Sequence, residues 1–161
     1  RYTSITMKLS IGEQAPKFSL PDQSGSVHTL TECVGRWVLL YFYPKDDTPG
    51  CTKEAQAIRD VFPDFSTLNA IVFGISADSV ASHKKFAEKY NLPFTLLADE
   101  GKDMVQAYGV WGTKKMMGRE YEGIFRTSFL IDPQGSIAKI YENVKPEVHA
   151  AQVLADLKAH A

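Results

Sequence analysis

The chain has 161 residues, 44% of them hydrophobic and 11% aromatic, which is enough for one sizeable core and too short to expect two. Its 18 basic and 19 acidic side chains leave a formal charge of −1 with the signs interspersed, which argues against nucleic acid or an anionic membrane as partner. No apolar run approaches the roughly 20 residues that cross a bilayer, and the start lacks the apolar segment of a secretory signal, so a soluble, cytoplasmic protein is expected. Residues 1–6 precede the first methionine, Met7, and read as a cloning remnant or the trace of a processed or extended terminus. A single domain is expected over residues 7–161.

In chain order, Lys17–Leu20 and Val27–Leu30 around Gly25 predict an N-terminal β-hairpin. Trp37–Tyr43, Ile71–Ile75 and Phe129–Ile131 are continuous apolar runs rich in β-branched and aromatic residues, as fully buried strands require. Between them, Ala55, Ile58, Val61, Phe62 and Phe65 fall on one helical stripe that begins near Thr48, and Val80, Phe86, Ala87 and Tyr90 on another. Thr95–Ala98 reads as a strand. Gly109–Gly123, with Lys114-Lys-Met-Met117 at its middle, shows no clear period and is expected to be a surface loop. Ile137–Tyr141 reads as a strand joined to the preceding one by the Asp132-Pro-Gln-Gly135 turn, and a last helix opens near Pro146. Alternating strands and helices that close with a strand pair and a helix predict an α/β three-layer sandwich around a mixed sheet.

The chemistry concentrates where the first long strand stops at Pro44 and a helix begins. Thr48 suits the N-cap and Pro49 the first helical position, so Cys51 falls at about the third helical residue. There its sulfur is near the positive end of the helix dipole and near N–H groups that no helical carbonyl satisfies, which favours a thiolate. Cys51 also lies on the Ala55–Ile58–Phe62 stripe and therefore faces inward, into a sheltered pocket. An isolated free cysteine is commonly a small inert hydrophobe. The cap, the proline and the strand-to-helix turn together weigh for function, because burial alone requires none of them.

Pro44-Lys-Asp-Asp-Thr48-Pro-Gly-Cys51 resembles the Pro-x-x-x-Thr-x-x-Cys signature of the peroxiredoxins. The likeness runs from about Ile11 to Ala161 and includes Gly74-Ile-Ser-Ala-Asp78, Leu92-Pro-Phe-Thr-Leu-Leu97-Ala-Asp and Gly123-Ile-Phe-Arg-Thr-Ser-Phe-Leu-Ile-Asp132. The branch it most resembles is the bacterioferritin-comigratory, or peroxiredoxin Q, group. That resemblance implies a thioredoxin-like fold and a thiol-dependent peroxidase of hydrogen peroxide and organic hydroperoxides. It makes Cys51 the peroxidatic cysteine, Thr48 and Arg126 its polar partners, and Pro44 the residue that closes off the pocket. Taken alone, Arg126 reads more readily as a surface arginine beside a strand and Thr48 as a simple cap.

The chain departs from that pattern in one respect. Many members of the branch carry a resolving cysteine five residues after the first, where this chain has Gln56, and the other site used by relatives falls near His83 to Phe86, again without a cysteine. Cys33 precedes the first long strand and Cys51 follows it, so seven residues at about 3.3 Å each set the two about 20 Å apart. A disulfide needs Cα atoms within about 7 Å, so a one-cysteine mechanism is expected, resolved by an external thiol. Thioredoxin, or glutathione with glutaredoxin, is the expected reductant, and a monomer or weak dimer the expected state. His28, His83, His149 and His160 show no metal-site spacing and are expected at the surface or its boundary; no metal or cofactor is expected, and Tyr108 and Trp111 read as packing residues. Two rivals remain. One is a thioredoxin-like disulfide oxidoreductase whose first active cysteine is replaced by Thr48, and the other is a redox sensor or holdase-like module switched by Cys51 oxidation.

Overall fold

The computed structural model describes residues 9–160, so the six-residue segment read as a remnant or processed terminus lies outside the described residues. Two short strands, β1 (Ser19–Pro21) and β2 (Val27–Thr29), pair antiparallel with Leu20 opposite His28. This is the expected N-terminal hairpin, shorter than the sequence suggests. The next strand, β3 (Trp37–Phe42), buries every residue after Trp37 and lies at the centre of a five-stranded sheet. On one side it pairs parallel with β4 (Ala70–Ser76), which pairs parallel with β5 (Thr95–Ala98). On the other it pairs antiparallel with β8 (Thr127–Ile131), followed by β9 (Ile137–Tyr141). The sheet is therefore mixed, as the strand order in sequence predicts.

Successive residues of β3 point to opposite faces, and the two faces feed two separate cores. Leu39, Tyr41 and Tyr43 join α1 (Pro49–Asp60), α2 (Phe62–Thr67), α3 (Val80–Tyr90) and α5 (His149–His160). Val38, Leu40 and Phe42 face the N-terminal segment, the short turn Thr31–Cys33 and α4 (Asp103–Ala107). Helices on one side, the sheet, and a thinner cover on the other make the three layers. Cys51 belongs to the first core and Cys33 to the second, so the sheet stands between two free thiols. No helix among the described residues is long and apolar enough to cross a membrane.

Three elements differ from the sequence reading. The stripe from Ala55 to Phe65 is two helices rather than one, parted at Val61. Pro63 supplies no N–H to a continuing helix and its ring collides with the carbonyl four residues back, so the turn breaks and restarts. The supposed loop Gly109–Gly123 is instead an antiparallel hairpin of β6 (Trp111–Met116) and β7 (Arg119–Ile124). Its two-residue turn, Met117-Gly118, has φ of 52° and 79°, the doubly left-handed geometry that Asn-Gly usually signals. A methionine in the asparagine position, with charged strands that lack an apolar face, conceals it. Finally, α4 has too few residues to show a period.

His83 and His149 are buried, at 0% and 1% exposure, rather than at the surface or its boundary. Each is held by specific partners: His83 by Asp46 and the Leu97 carbonyl, His149 by the Ser128 hydroxyl. Tyr108 is a packing residue as expected; it is buried and its hydroxyl donates to the Pro16 carbonyl at 2.6 Å. Trp111 packs partly buried against the second core.

Gly74 in β4 is required by a close approach, because a Cβ there would lie 2.7 Å from the Tyr41 ring. Gly74→Ala is expected to destabilise the fold by about 1–3 kcal/mol through overpacking. Urea unfolding measures it; an unchanged midpoint would mean that the Tyr41 ring has room to move.

Candidate active site

Where β3 ends, Tyr43 and half-buried Pro44 lead into a loop whose Asp47 adopts φ 56°. Thr48 is extended, at φ −102° and ψ 157°, and Pro49 opens α1, which makes Cys51 the third helical residue, as expected. The first N–H to bond back is that of Thr52, to the Thr48 carbonyl at 2.8 Å. Those of Gly50 and Cys51 precede it and have no helical carbonyl to satisfy them. The Thr48 side chain does not cap the helix as expected: its hydroxyl donates to the Lys45 carbonyl at 2.9 Å, closing the loop instead. Its oxygen keeps acceptor capacity for a bound group.

This loop is braced against α3. The Asp46 carboxylate accepts from the Tyr43 hydroxyl at 2.6 Å, the Ser82 hydroxyl at 2.8 Å and His83 Nδ1 at 2.7 Å. The Asp46 N–H donates to Asp78 at 2.8 Å, and Asp47 holds Lys89 and Tyr90 at 2.8 and 2.7 Å. Asp46, Asp78 and His83 bring ligand-type atoms within 4.8 Å of one another. Those atoms are already engaged with one another and with Tyr43, Ser76 and Ser82, so the group reads as a brace. Buried polar groups that satisfy each other in this way fix a loop's geometry.

Arg126, immediately before β8, reaches the start of α1. Its Nη2 lies 3.4 Å from Cys51 Sγ and its Nη1 donates to Glu54 Oε1 at 2.7 Å. Cys51 and Glu54 are three residues apart and thus share a helix face, so one planar guanidinium spans both. The approach needs Gly50: a Cβ there would be 3.1 Å from Arg126 Nη2. The Val144 N–H donates to the Arg126 carbonyl at 3.2 Å and secures its backbone. Burial works against the Arg126 charge, but Cys51 and Glu54 more than offset it and hold the guanidinium above its ordinary value.

Cys51 and Glu54 are each 1% exposed. Burial pushes Glu54 up to about 7, against the pull of Arg126. Its Oε2 and the buried Tyr41 hydroxyl have no hydrogen-bond partner. Glu54 is the site residue that sequence reading missed. Its signal was a carboxylate on the apolar stripe of α1, beside Ala55 and Ile58, where a charge needs a partner.

Of the four residues singled out in the sequence, Cys51 and Arg126 are in contact, Thr48 closes the loop one turn away, and Pro44 begins that loop. Cys33 lies apart, 5% exposed, its thiol pushed up by burial and donating to the Thr29 carbonyl at 3.5 Å.

A family model described as the AhpC/TSA family matches residues 11–140. The chain belongs to this family. Peroxiredoxin Bcp of Bacillus subtilis (strain 168) is 45% identical over 152 residues, which cover 94% of this chain and 97% of the relative. Among solved structures, PrxQ of Xylella fastidiosa, in a cysteine-to-serine variant, superposes with a TM-score of 0.91 at 35% identity, covering 96% of this chain and 98% of that one. The bacterioferritin comigratory protein of Xanthomonas campestris, studied for alkyl peroxide reduction, gives a TM-score of 0.84 at 38% identity, with 89% and 91% covered. The chain is thus a peroxiredoxin of the Bcp/PrxQ branch with a thioredoxin-like fold, and an enzyme of the thiol-dependent peroxidase class.

Two buried groups give the peroxiredoxin opposite pH dependences. Folded Glu54 keeps its proton up to about 7 while the unfolded chain loses it near 4.5, so stability from this group falls as pH rises through that window. Burial pushes His149 down to about 4, so between about 4 and 6.5 only the unfolded chain takes up the proton, and stability falls as pH drops. Each effect amounts to about 3 kcal/mol at most. Urea unfolding from pH 4 to 8 is expected to lose its alkaline decline in Glu54→Gln and its acid decline in His149→Gln; wild-type profiles in both would refute the assignment.

Proposed function

We propose that this peroxiredoxin reduces hydrogen peroxide and organic hydroperoxides through a sulfenic acid at Cys51, with an external thiol resolving it. The observation that carries the reading is the 3.4 Å approach of Arg126 Nη2 to Cys51 Sγ at the open N-terminus of α1. A thiolate there faces a permanent cation and N–H donors that no helical carbonyl satisfies, on a sulfur with 1% exposure.

The thiolate attacks the terminal oxygen of ROOH. The S–O bond forms as the O–O bond breaks, the electron pair leaves with RO⁻, and a proton completes ROH. Arg126 and the Cys51 N–H stabilise the charge growing on the leaving oxygen without having to move. Thr48 accepts from the peroxide, and Pro44 walls the pocket while offering no N–H to compete. A thiol then attacks the sulfenic sulfur and releases water, and a second thiol attacks the mixed disulfide to regenerate Cys51. An outside thiol is favoured because the only other cysteine belongs to the core on the opposite face of the sheet. Thioredoxin, or glutathione with glutaredoxin, fits this role. The alkyl peroxide activity studied in the Xanthomonas campestris relative supports organic hydroperoxides as substrates.

Peroxide consumption with dithiothreitol tests the reading. Cys51→Ser is expected to abolish turnover, Arg126→Ala to slow it by about 10²-fold or more, and Cys33→Ser to leave it unchanged. Mass spectrometry after one equivalent of peroxide is expected to find one added oxygen at Cys51. Oxidation without recycling would favour the sensor reading, and loss of activity in Cys33→Ser would overturn external resolution.

A further inference from the structure

The hairpin β6–β7 carries a second cation toward the segment before β8 that holds Arg126, the residue in contact with Cys51. Lys114 stands opposite Tyr121 in the hairpin register, half-buried, whereas the next residue, Lys115, is exposed. A surface lysine normally keeps its ammonium in water while its stem lies along apolar surface. Here Nζ turns inward. It donates to the Ile124 carbonyl, two residues before Arg126, and stands 5.6 Å over the Phe125 ring. Gly123 makes room for this path, since a Cβ there would be 3.1 Å from Lys114 Cδ.

The ammonium is engaged electrostatically with both partners of the site. Burial pushes Lys114 down, Arg126 adds to that, and Cys51 pulls in the opposite direction. Among the described residues, Tyr41 on β3, Arg126 before β8 and Lys114 on β6 interact electrostatically with Cys51, and Glu54 on its own helix shares Arg126 with it; burial keeps the Tyr41 hydroxyl neutral. Two cations, Lys114 and Arg126, therefore share the site with one carboxyl group, Glu54, which keeps its proton up to about 7. A thiolate at Cys51 balances them, whereas a neutral thiol leaves an excess of positive charge in a poorly solvated site, where charge is costly.

We propose that Lys114 is a second electrostatic residue of the Cys51 site, turned inward by the hairpin and admitted by Gly123, that adds to Arg126 in favouring the thiolate. It acts through its field rather than by touching the peroxide. The inference rests on the function proposed above and extends it to a residue outside the signature.

The test is the second-order rate of Cys51 oxidation by hydrogen peroxide between pH 5 and 9, in wild type, Lys114→Met, Lys114→Arg and Gly123→Ala. Lys114→Met is expected to slow oxidation about 3- to 10-fold at pH 7, to move the rising limb of the profile to more alkaline pH, and to regain the wild-type rate above that limb. Lys114→Arg restores most of the rate, and Gly123→Ala, which displaces the stem without removing the charge, gives a smaller shift in the same direction. An unmoved limb in Lys114→Met overturns the proposal, as does an equal loss at every pH, which marks a purely structural role. Should Lys114→Met fail to fold, an unmoved limb in Gly123→Ala overturns it equally. Wild-type protein unoxidised at Cys51 would instead refute the function on which the inference rests.

Discussion

One guanidinium joins two distant parts of the chain, and the site depends on that join. Arg126 is 75 residues from Cys51 and 72 from Glu54, yet it bonds to both. What brings it there is strand register. Thr127, the first residue of β8, pairs with Phe42, the last of β3, so Arg126 stands beside the turn by which β3 passes into α1. A slip of one residue would turn every β8 side chain to the opposite face. The two buried faces of the sheet resist such a slip, since it would exchange Leu130 for Phe129 and Ile131 between two packed cores.

On the function proposed above, the arrangement resolves a conflict inherent in a reactive buried thiol. Shelter from water disfavours a charged sulfur, and exposure would leave a reactive group open to every solute. The structure buries Cys51 and surrounds it with compensation: helix N–H groups, Arg126, and a carboxylate that anchors Arg126 from the other side. Glu54 itself is poorly solvated and leaves one oxygen without a partner, so the site carries local cost for the sake of geometry. The Asp46–His83 brace holds the other side by tying the loop before α1 to α3, so that the helix start is held at both ends.

Two glycines act through the side chain they lack. Gly50 lets the guanidinium approach the helix, and Gly123 lets the Lys114 stem cross the hairpin. Gly50 does not signal this locally, because the atoms it makes room for come from Arg126 and Pro146, and Gly123 does so only once the β6–β7 register is known. The same limit explains the two histidines. His83 and His149 show no spacing that sets them apart, and their burial depends on Asp46, Leu97 and Ser128, far away in sequence.

The sequence by itself determined what is local. Three apolar runs and two shorter strand segments placed the five strands of the sheet, the proline and threonine before Cys51 placed the helix start, and the Pro44–Cys51 signature pointed to the family. Each of these is written in residues within a few positions of one another, through strand period, helix period and turn chemistry. Pro63 suits either a break within a helix or the first turn of a new one, and helical periodicity does not distinguish the two. Only the tertiary structure decided which side chains meet. It moved the Thr48 hydroxyl from the helix to the loop, made Glu54 the anchor of Arg126, ordered β6–β7 and set Cys33 beyond the sheet from Cys51. These outcomes follow from register between strands far apart in the chain and from the space left by absent side chains, and no local pattern carries either.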